Sequence, residues 1–64
     1  MKTELKTKAI SNGLLLVLAS IKHSESYTEY VVYSRPKNDY GRMFGTLYFN
    51  DEETAIESFN NRSF

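Results

Sequence analysis

The clearest pattern along the chain is an alternating segment that leads directly into a helical one. From Met43 to Phe49, aromatic and β-branched residues recur with a period of two, which predicts a strand. Asn50 follows as the candidate N-cap, and Glu53, three residues later, occupies the position of a capping-box carboxylate. Apolar residues then recur at helical spacing, which predicts a helix over 51–59 that frays near residues 60 and 61. The apolar face of this helix carries Ala55, Ile56 and Phe59.

Three acidic residues open the predicted helix. Asp51, Glu52 and Glu53 place negative charge at the positive end of the helix dipole, where it stabilises the helix. A metal site would need several oxygens that converge on one point, whereas side chains of one helical turn project around its axis. We therefore interpret these acids as a solvated helix start, and we expect neither a metal nor a cofactor.

Two segments upstream predict further strands. Leu14–Lys22 begins with apolar residues on both faces, as a central strand does, and Tyr27–Arg35 is rich in aromatic and β-branched residues. A polar turn over residues 23–26 separates them. A second turn begins at Pro36, which cannot continue a central ladder, and extends to Gly41.

The first segment, residues 2–12, fits either of two structures. As a helix, it would contain a favourable i,i+4 ion pair and end at a glycine cap. As a strand, it leads into Asn12-Gly13, a strong hairpin signal, because both residues accept the positive φ of a type I′ turn. An uninterrupted hairpin would set Ala9 opposite Leu16. We favour the strand.

Together these segments predict an α+β fold. It consists of a small antiparallel β-sheet of three or four strands, connected as a meander, with a C-terminal α-helix packed on one face. The order is β-β-β-β-α, or α-β-β-β-α if the first segment is helical. Residues 1–64 form a single small domain in this interpretation, because so short a chain has room for one core only.

The pairing of the last two strands predicts one covered and one exposed face of the sheet. In the register that we expect, Arg35 lies opposite Arg42, while Tyr30 and Leu47 lie opposite each other on the other side. One small helix covers a single face, so the face with the arginines stays open. Exposed aromatic and arginine residues are enriched at binding hot spots. The candidate partner-binding residues are Tyr33, Arg35, Lys37, Arg42, Phe44 and Tyr48.

Composition and charge narrow the class of protein. A chain of 64 residues with no cysteine and one histidine has neither a disulfide framework nor a thiolate metal site to add to a small core. We therefore expect a homodimer as one way to gain stability. The net charge is zero, but residues 1–50 carry seven Lys and Arg against four acids, +3, and residues 51–64 carry one Arg against four acids, −3. This separation of charge is not the strong positive field of a typical nucleic-acid binder.

Several classes are excluded on these grounds. The apolar run 14–21 is too short to cross a bilayer, and the polar residues before it fit a signal peptide poorly, so we expect a cytoplasmic protein without a membrane anchor. His23 lies in a polar turn and no nucleophile motif surrounds it. Gly41 and Gly45 do not have the spacing of a phosphate-binding loop. We conclude that the chain is not an enzyme.

Two hypotheses of function remain, and protein binding is the first. A sheet with an open aromatic face beside an acidic helix suits an inhibitor or adaptor. Small, neutral chains without cysteine are common among phage and mobile-element proteins that block a host protein complex. In size and style the chain is similar to such proteins, anti-CRISPR proteins included, and this similarity implies a host complex as partner.

The alternative hypothesis is weak DNA binding. Three antiparallel strands followed by a helix with an acidic start and an alanine resemble the AP2 domain and the integrase arm-binding domains over about thirty-five residues. The resemblance implies that the exposed sheet face reads the major groove, with Arg35, Lys37 and Arg42 on phosphates or bases. The chain departs from the pattern in having Gly45 four residues before Phe49 rather than two. Its strands also carry few cations, and such a protein binds DNA weakly.

Overall fold

The computed structural model describes residues 1–62, which form four strands and one helix. The strands are β1 (Lys2–Ser11), β2 (Leu14–Ser24), β3 (Tyr27–Pro36) and β4 (Phe44–Phe49), and the helix is α1 (Glu52–Asn61). All neighbouring strands are antiparallel, and the order in the sheet is β1-β2-β3-β4. The α+β fold, with a meander sheet and a C-terminal helix on one face, is confirmed. The first segment is a strand. Within residues 1–62, no helix is long and apolar enough to cross a bilayer.

The helix packs on one side of the sheet, which we call the helix face. Leu16, Leu18 and Val32 point to this side and are buried against Ala55 and Phe59 of α1. Tyr30, Phe49 and Ile56 pack around them. The spacing of the apolar residues along α1 thus places its buried stripe over the two central strands, β2 and β3.

The N-cap of α1 lies one residue later in the chain than the predicted one. Asp51, not Asn50, is the N-cap, and its carboxylate accepts the backbone N–H of Thr54 at 2.8 Å. The Thr54 hydroxyl also donates to this carboxylate at 2.9 Å. These hydrogen bonds, the backbone one first, lower the pKa of Asp51. The prediction of an Asn50–Glu53 capping box is therefore wrong, because a carboxylate with a threonine three residues later satisfies the free N–H group instead.

Strand β1 contains two register shifts that the alternating pattern does not predict. Ser11 pairs with Leu14 beside the turn, but Ala9 pairs with Leu15 rather than with Leu16. Ile10 is the extra residue of the first shift, and a second shift lies between residues 4 and 6. Each bulge adds one residue to β1 and changes which of its side chains share a face with those of β2.

The pairing of β3 with β4 also differs from the expected register. Tyr30 pairs with Phe49, not with Leu47, and a further shift follows before Ser34 pairs with Phe44. Gly45 lies inside this irregular part with a φ of 56°, a left-handed conformation that glycine adopts without strain. Because of the extra residue, Phe44 shares the helix face with Ser34, whereas we expected it on the other side.

The side of the sheet without the helix, the opposite face, is also buried at its centre. Val17, Ala19, Val31 and Tyr33 are fully buried there, and Arg35 is only 2% exposed. The prediction that this face is open is therefore wrong at Tyr33 and Arg35. Long side chains of β1 and of the β3–β4 loop cover these two residues.

Candidate protein-binding surface

An ion pair between strands β1 and β3 closes the opposite face. The Arg35 guanidinium donates through Nε to one oxygen of Glu4 at 2.7 Å and through Nη2 to the other at 3.0 Å. Glu4 pairs with Ala19 on β2, which in turn pairs with Val31 on β3. Arg35 itself pairs with Leu15, four residues from Ala19 along β2, so the ion pair runs diagonally between two strands that are not neighbours. This two-point contact fixes the position of both groups.

Further contacts leave little of Arg35 accessible. Its Nη1 donates to the carbonyl oxygens of Pro36 at 2.9 Å and Lys37 at 3.0 Å, and its guanidinium lies 4.1 Å from the centre of the Tyr40 ring. The hydrogen bond with Glu4, followed by the charge of that group, raises the pKa of Arg35. The same hydrogen bond from Arg35 lowers the pKa of Glu4 despite partial burial.

Tyr33 is covered by the same end of β1. Its hydroxyl donates to Glu4 at 3.3 Å, and the ammonium of Lys2 lies 4.7 Å from the centre of its ring. Lys2 also reaches the sulfur of Met43 at 3.7 Å. Tyr33 and Arg35 therefore hold the sheet together, and neither presents a surface to a partner in this conformation.

The large apolar side chains that remain exposed concentrate on β4. Phe44 and Leu47 are each nearly half exposed on the helix face, and Tyr48 is exposed on the opposite face. Tyr40 is exposed in the loop that precedes β4. Strand β4 itself, FGTLYF, contains no charged residue. This strand is thus the least protected apolar part of the described chain.

An apolar groove of about 430 Å³ lies beside Phe44 on the helix face. It occupies the end of the sheet where the β1–β2 turn and the β3–β4 loop meet, joined by the hydrogen bond from the Lys37 N–H to the Gly13 carbonyl at 2.8 Å. The helix ends before it covers this region, and Arg62 donates to the Gly45 carbonyl at 3.1 Å. The groove is lined by Ile10, Ser11, Leu14, Ser34, Phe44, Gly45 and Arg62.

Two exposed cations stand at the groove end. The Arg42 guanidinium lies 5.9 Å from the centre of the Phe44 ring and makes one long contact, 3.7 Å, with the exposed Asp39. Lys37 is exposed next to Pro36, which pairs with the groove residue Leu14. We call Ile10, Leu14 and Phe44, together with Lys37 and Arg42 at the border, the groove surface. It combines an apolar floor with a positively charged rim.

The structure divides the six predicted binding residues into three groups. Lys37, Arg42 and Phe44 lie together at the groove end, Tyr48 is exposed on the opposite face, and Tyr33 and Arg35 are buried. The groove residues Ile10 and Leu14 were not among the predicted ones. Ile10 faces the groove because it is the extra residue of a bulge, and no sequence signal marks that position.

The single histidine belongs to a different part of the molecule. His23 lies near the β2–β3 turn, its Nε2 is 3.0 Å from Glu29, and its ring stacks on Tyr27 with 5.1 Å between centres. These side chains are solvated and stand apart from the groove. Over residues 1–62, no three His, Cys, Asp or Glu side chains are grouped so that they could hold a metal ion.

Chemically, the groove surface offers contacts rather than reactive groups. Its described lining contains two serines but no imidazole, carboxylate or thiol that could activate them. Comparison with known proteins finds no matching family model, no similar curated protein and no similar solved structure. The groove surface is therefore the feature of the molecule that indicates a function.

Proposed function

We propose that the chain is a non-enzymatic protein-binding module and that it binds its partner through the groove surface. The observation that carries this proposal is the groove of about 430 Å³, which exposes apolar side chains at an end of the helix face that α1 leaves uncovered. Concave apolar sites with an aromatic side chain at the wall accept a bulky side chain of a partner, and such buried contacts dominate binding energy.

The charges around the groove indicate what kind of segment it binds. Arg42 and Lys37 are exposed at its border, and Arg42 makes one long contact, 3.7 Å, with the exposed Asp39. A partner segment with a large apolar side chain and flanking carboxylates would fill the groove and neutralise the rim. Such charges act mainly on specificity and on the association rate. Inhibition of a larger host complex, by occupation of one of its contact sites, is the form of this function that we propose.

DNA binding is supported less well by the arrangement of the cations. Arg35, which that hypothesis places on the nucleic acid, is bound to Glu4 and to two carbonyl groups and is almost completely buried. Lys37 and Arg42 remain exposed. Two phosphate contacts provide only a small part of the counterion release on which DNA affinity depends.

The test is capture of a partner with wild-type and variant chains, followed by titration of the purified partner. Phe44→Ser should weaken binding at least about tenfold, the effect of losing roughly 1.4 kcal/mol of apolar contact. Leu5→Ser is the matched control, since Leu5 is 43% and Phe44 46% exposed, but Leu5 lies on β1, away from the groove lining. Arg42→Glu should slow association with an acidic partner. Equal binding by Phe44→Ser and wild type, or an equal loss in Leu5→Ser, would contradict the proposal.

A further inference from the structure

The two edges of the sheet are protected very differently. Edge strand β1 carries Lys2, Lys6 and Lys8 and has two bulges, and both features hinder the addition of another strand. Edge strand β4 has no charged residue and no proline, and its register shift lies at residues 45 and 46, which leaves 47–49 regular. An uncharged edge with exposed apolar side chains is a template for strand pairing.

We propose that β4 pairs antiparallel with β4 of a second copy of this chain. The two sheets then form one sheet of eight strands around a two-fold axis that lies between the two β4 strands, level with Leu47 or Tyr48. An axis perpendicular to the sheet keeps both helices on the same side. Leu47, which is 47% exposed on the helix face although a core lies beside it, then contacts β4 of the other copy. This dimer does not depend on the proposed function. Arg42 and Phe44 belong to both surfaces, but Leu47 and Tyr48 lie outside the groove lining, so variants at these two positions test the dimer alone.

Charge complementarity selects a second copy as the occupant. The end of β4 that precedes Phe44 carries Arg42, and the other end leads into Asp51, Glu52 and Glu53 at the start of α1. Antiparallel pairing brings these unlike ends together twice, once on each side of the axis. With Leu47 on the axis, Arg42 is five residues before it and Glu52 is five residues after it. With Tyr48 on the axis, Arg42 still faces the first turn of the other helix.

The first test is the mass of the 64-residue chain in solution over a concentration series, by sedimentation equilibrium. We expect a concentration-dependent mass that approaches twice 7.4 kDa. Leu47→Lys should weaken the dimer at least about tenfold, because it places two like charges near each other across the axis. Leu5→Lys, an equally exposed position on β1, should leave the dimer unchanged. A mass of 7.4 kDa for the wild type at every concentration would overturn the proposal, as would a dimer that only Leu5→Lys weakens.

Two further measurements do not depend on the folding of Leu47→Lys. The chain has no cysteine, so single-cysteine variants at Leu47, Tyr48 and Leu5 can be oxidised. The rate of disulfide formation reports which of these positions lies close to the same position of the second copy. We expect rapid disulfide-linked dimers at Leu47 or Tyr48 and slow ones at Leu5; the reverse order would refute β4 pairing.

A charge exchange tests the orientation. Arg42→Glu should weaken the dimer, and Arg42→Glu combined with Glu52→Arg and Glu53→Arg should restore it. Failure of the triple variant to recover, with Leu47 still cross-linking, would show that the strands pair without the proposed antiparallel charge contact.

Discussion

Removal of the Glu4 carboxylate should destabilise this protein far more than removal of an ordinary surface acid. The Arg35 side chain is 3% exposed, so Glu4→Ala would leave a guanidinium buried without its counter-charge. Breaking a buried pair in this way costs about 3–5 kcal/mol. Arg35 keeps two carbonyl acceptors and Glu4 is partly solvated, so we expect the lower value, about 3 kcal/mol.

That loss is large for a chain of this size. At roughly 0.05–0.15 kcal/mol per residue, a 64-residue domain has a total stability of about 3–10 kcal/mol. Each kcal/mol lowers the Tm of a small domain by about 4–8 °C, so Glu4→Ala should unfold about 12–24 °C below the wild type. Thermal and urea unfolding followed by far-UV circular dichroism measure both quantities.

The matched control is Glu29→Ala. The Glu29 side chain is 23% exposed and that of Glu4 is 25%, but the partner of Glu29, His23, is solvated. Loss of a solvated pair costs at most about 1 kcal/mol. Suppose that both variants lost the same free energy of unfolding. The Arg35 side chain would then have adopted another rotamer in which its guanidinium is solvated, and our account of the opposite face would be refuted.

The pH dependence of unfolding provides a second readout for the same ion pair. The hydrogen bond from Arg35 lowers the pKa of Glu4 in the folded state, so the unfolded chain binds more protons once the pH falls below about 4.3, its ordinary value. The stability from this group is complete above that pH and is lost as the pH falls through the lowered folded value. The Tm of Glu4→Gln should therefore fall less steeply with decreasing pH than the Tm of the wild type. Part of the decrease should remain, because the pKa of Asp51 is also lowered.

Three further outcomes test other parts of the fold. Asp51→Ala removes the N-cap acceptor and should lower the Tm and the helical circular dichroism signal. Gly45→Ala should lower the free energy of unfolding by about 1–2 kcal/mol because Gly45 has a positive φ. The loss should exceed that of Gly13→Ala, since a Cβ at Gly45 would lie 3.2 Å from Arg62 whereas a Cβ at Gly13 would meet open space. Equal urea midpoints for the two variants would contradict this. Tyr33→Ser should cost about 3–5 kcal/mol and largely unfold the chain, whereas Phe44→Ser should leave the circular dichroism spectrum unchanged.

Most elements of this fold are predictable from local patterns. Period-two alternation, an apolar run and turn residues mark β2, β3 and β4, and the apolar spacing of Ala55, Ile56 and Phe59 marks the helix. Residues 2–12 fit a helix as well as the strand that they form. The register of the strands is not predictable from the same patterns. A bulge such as the one at Ile10 adds a single residue, leaves the composition unchanged, and shifts every pair beyond it.

The candidate site was predictable only where its residues lie close together in the sequence. Lys37, Arg42 and Phe44 are exposed and lie near each other because one loop and the strand after it carry all three. The burial of Arg35 depends on Glu4, 31 positions earlier in the chain and two strands away in the sheet. No local pattern reports a contact between strands that are not neighbours, so the sequence predicts Arg35 as a binding residue although the side chain is buried.

The distance in sequence between Glu4 and Arg35 also has a consequence for synthesis of the chain. Strand β1 is synthesised before β3, and Arg35, which secures the amino-terminal half of β1, is added 31 residues after Glu4. A nascent chain in which β1 but not residue 35 has left the ribosomal exit tunnel should leave β1 open to protease, whereas one in which the β3–β4 loop has also emerged should resist cleavage there. Ribosome-bound intermediates of increasing length, extended at the carboxyl end by a linker that fills the tunnel, would show at which residue this protection begins.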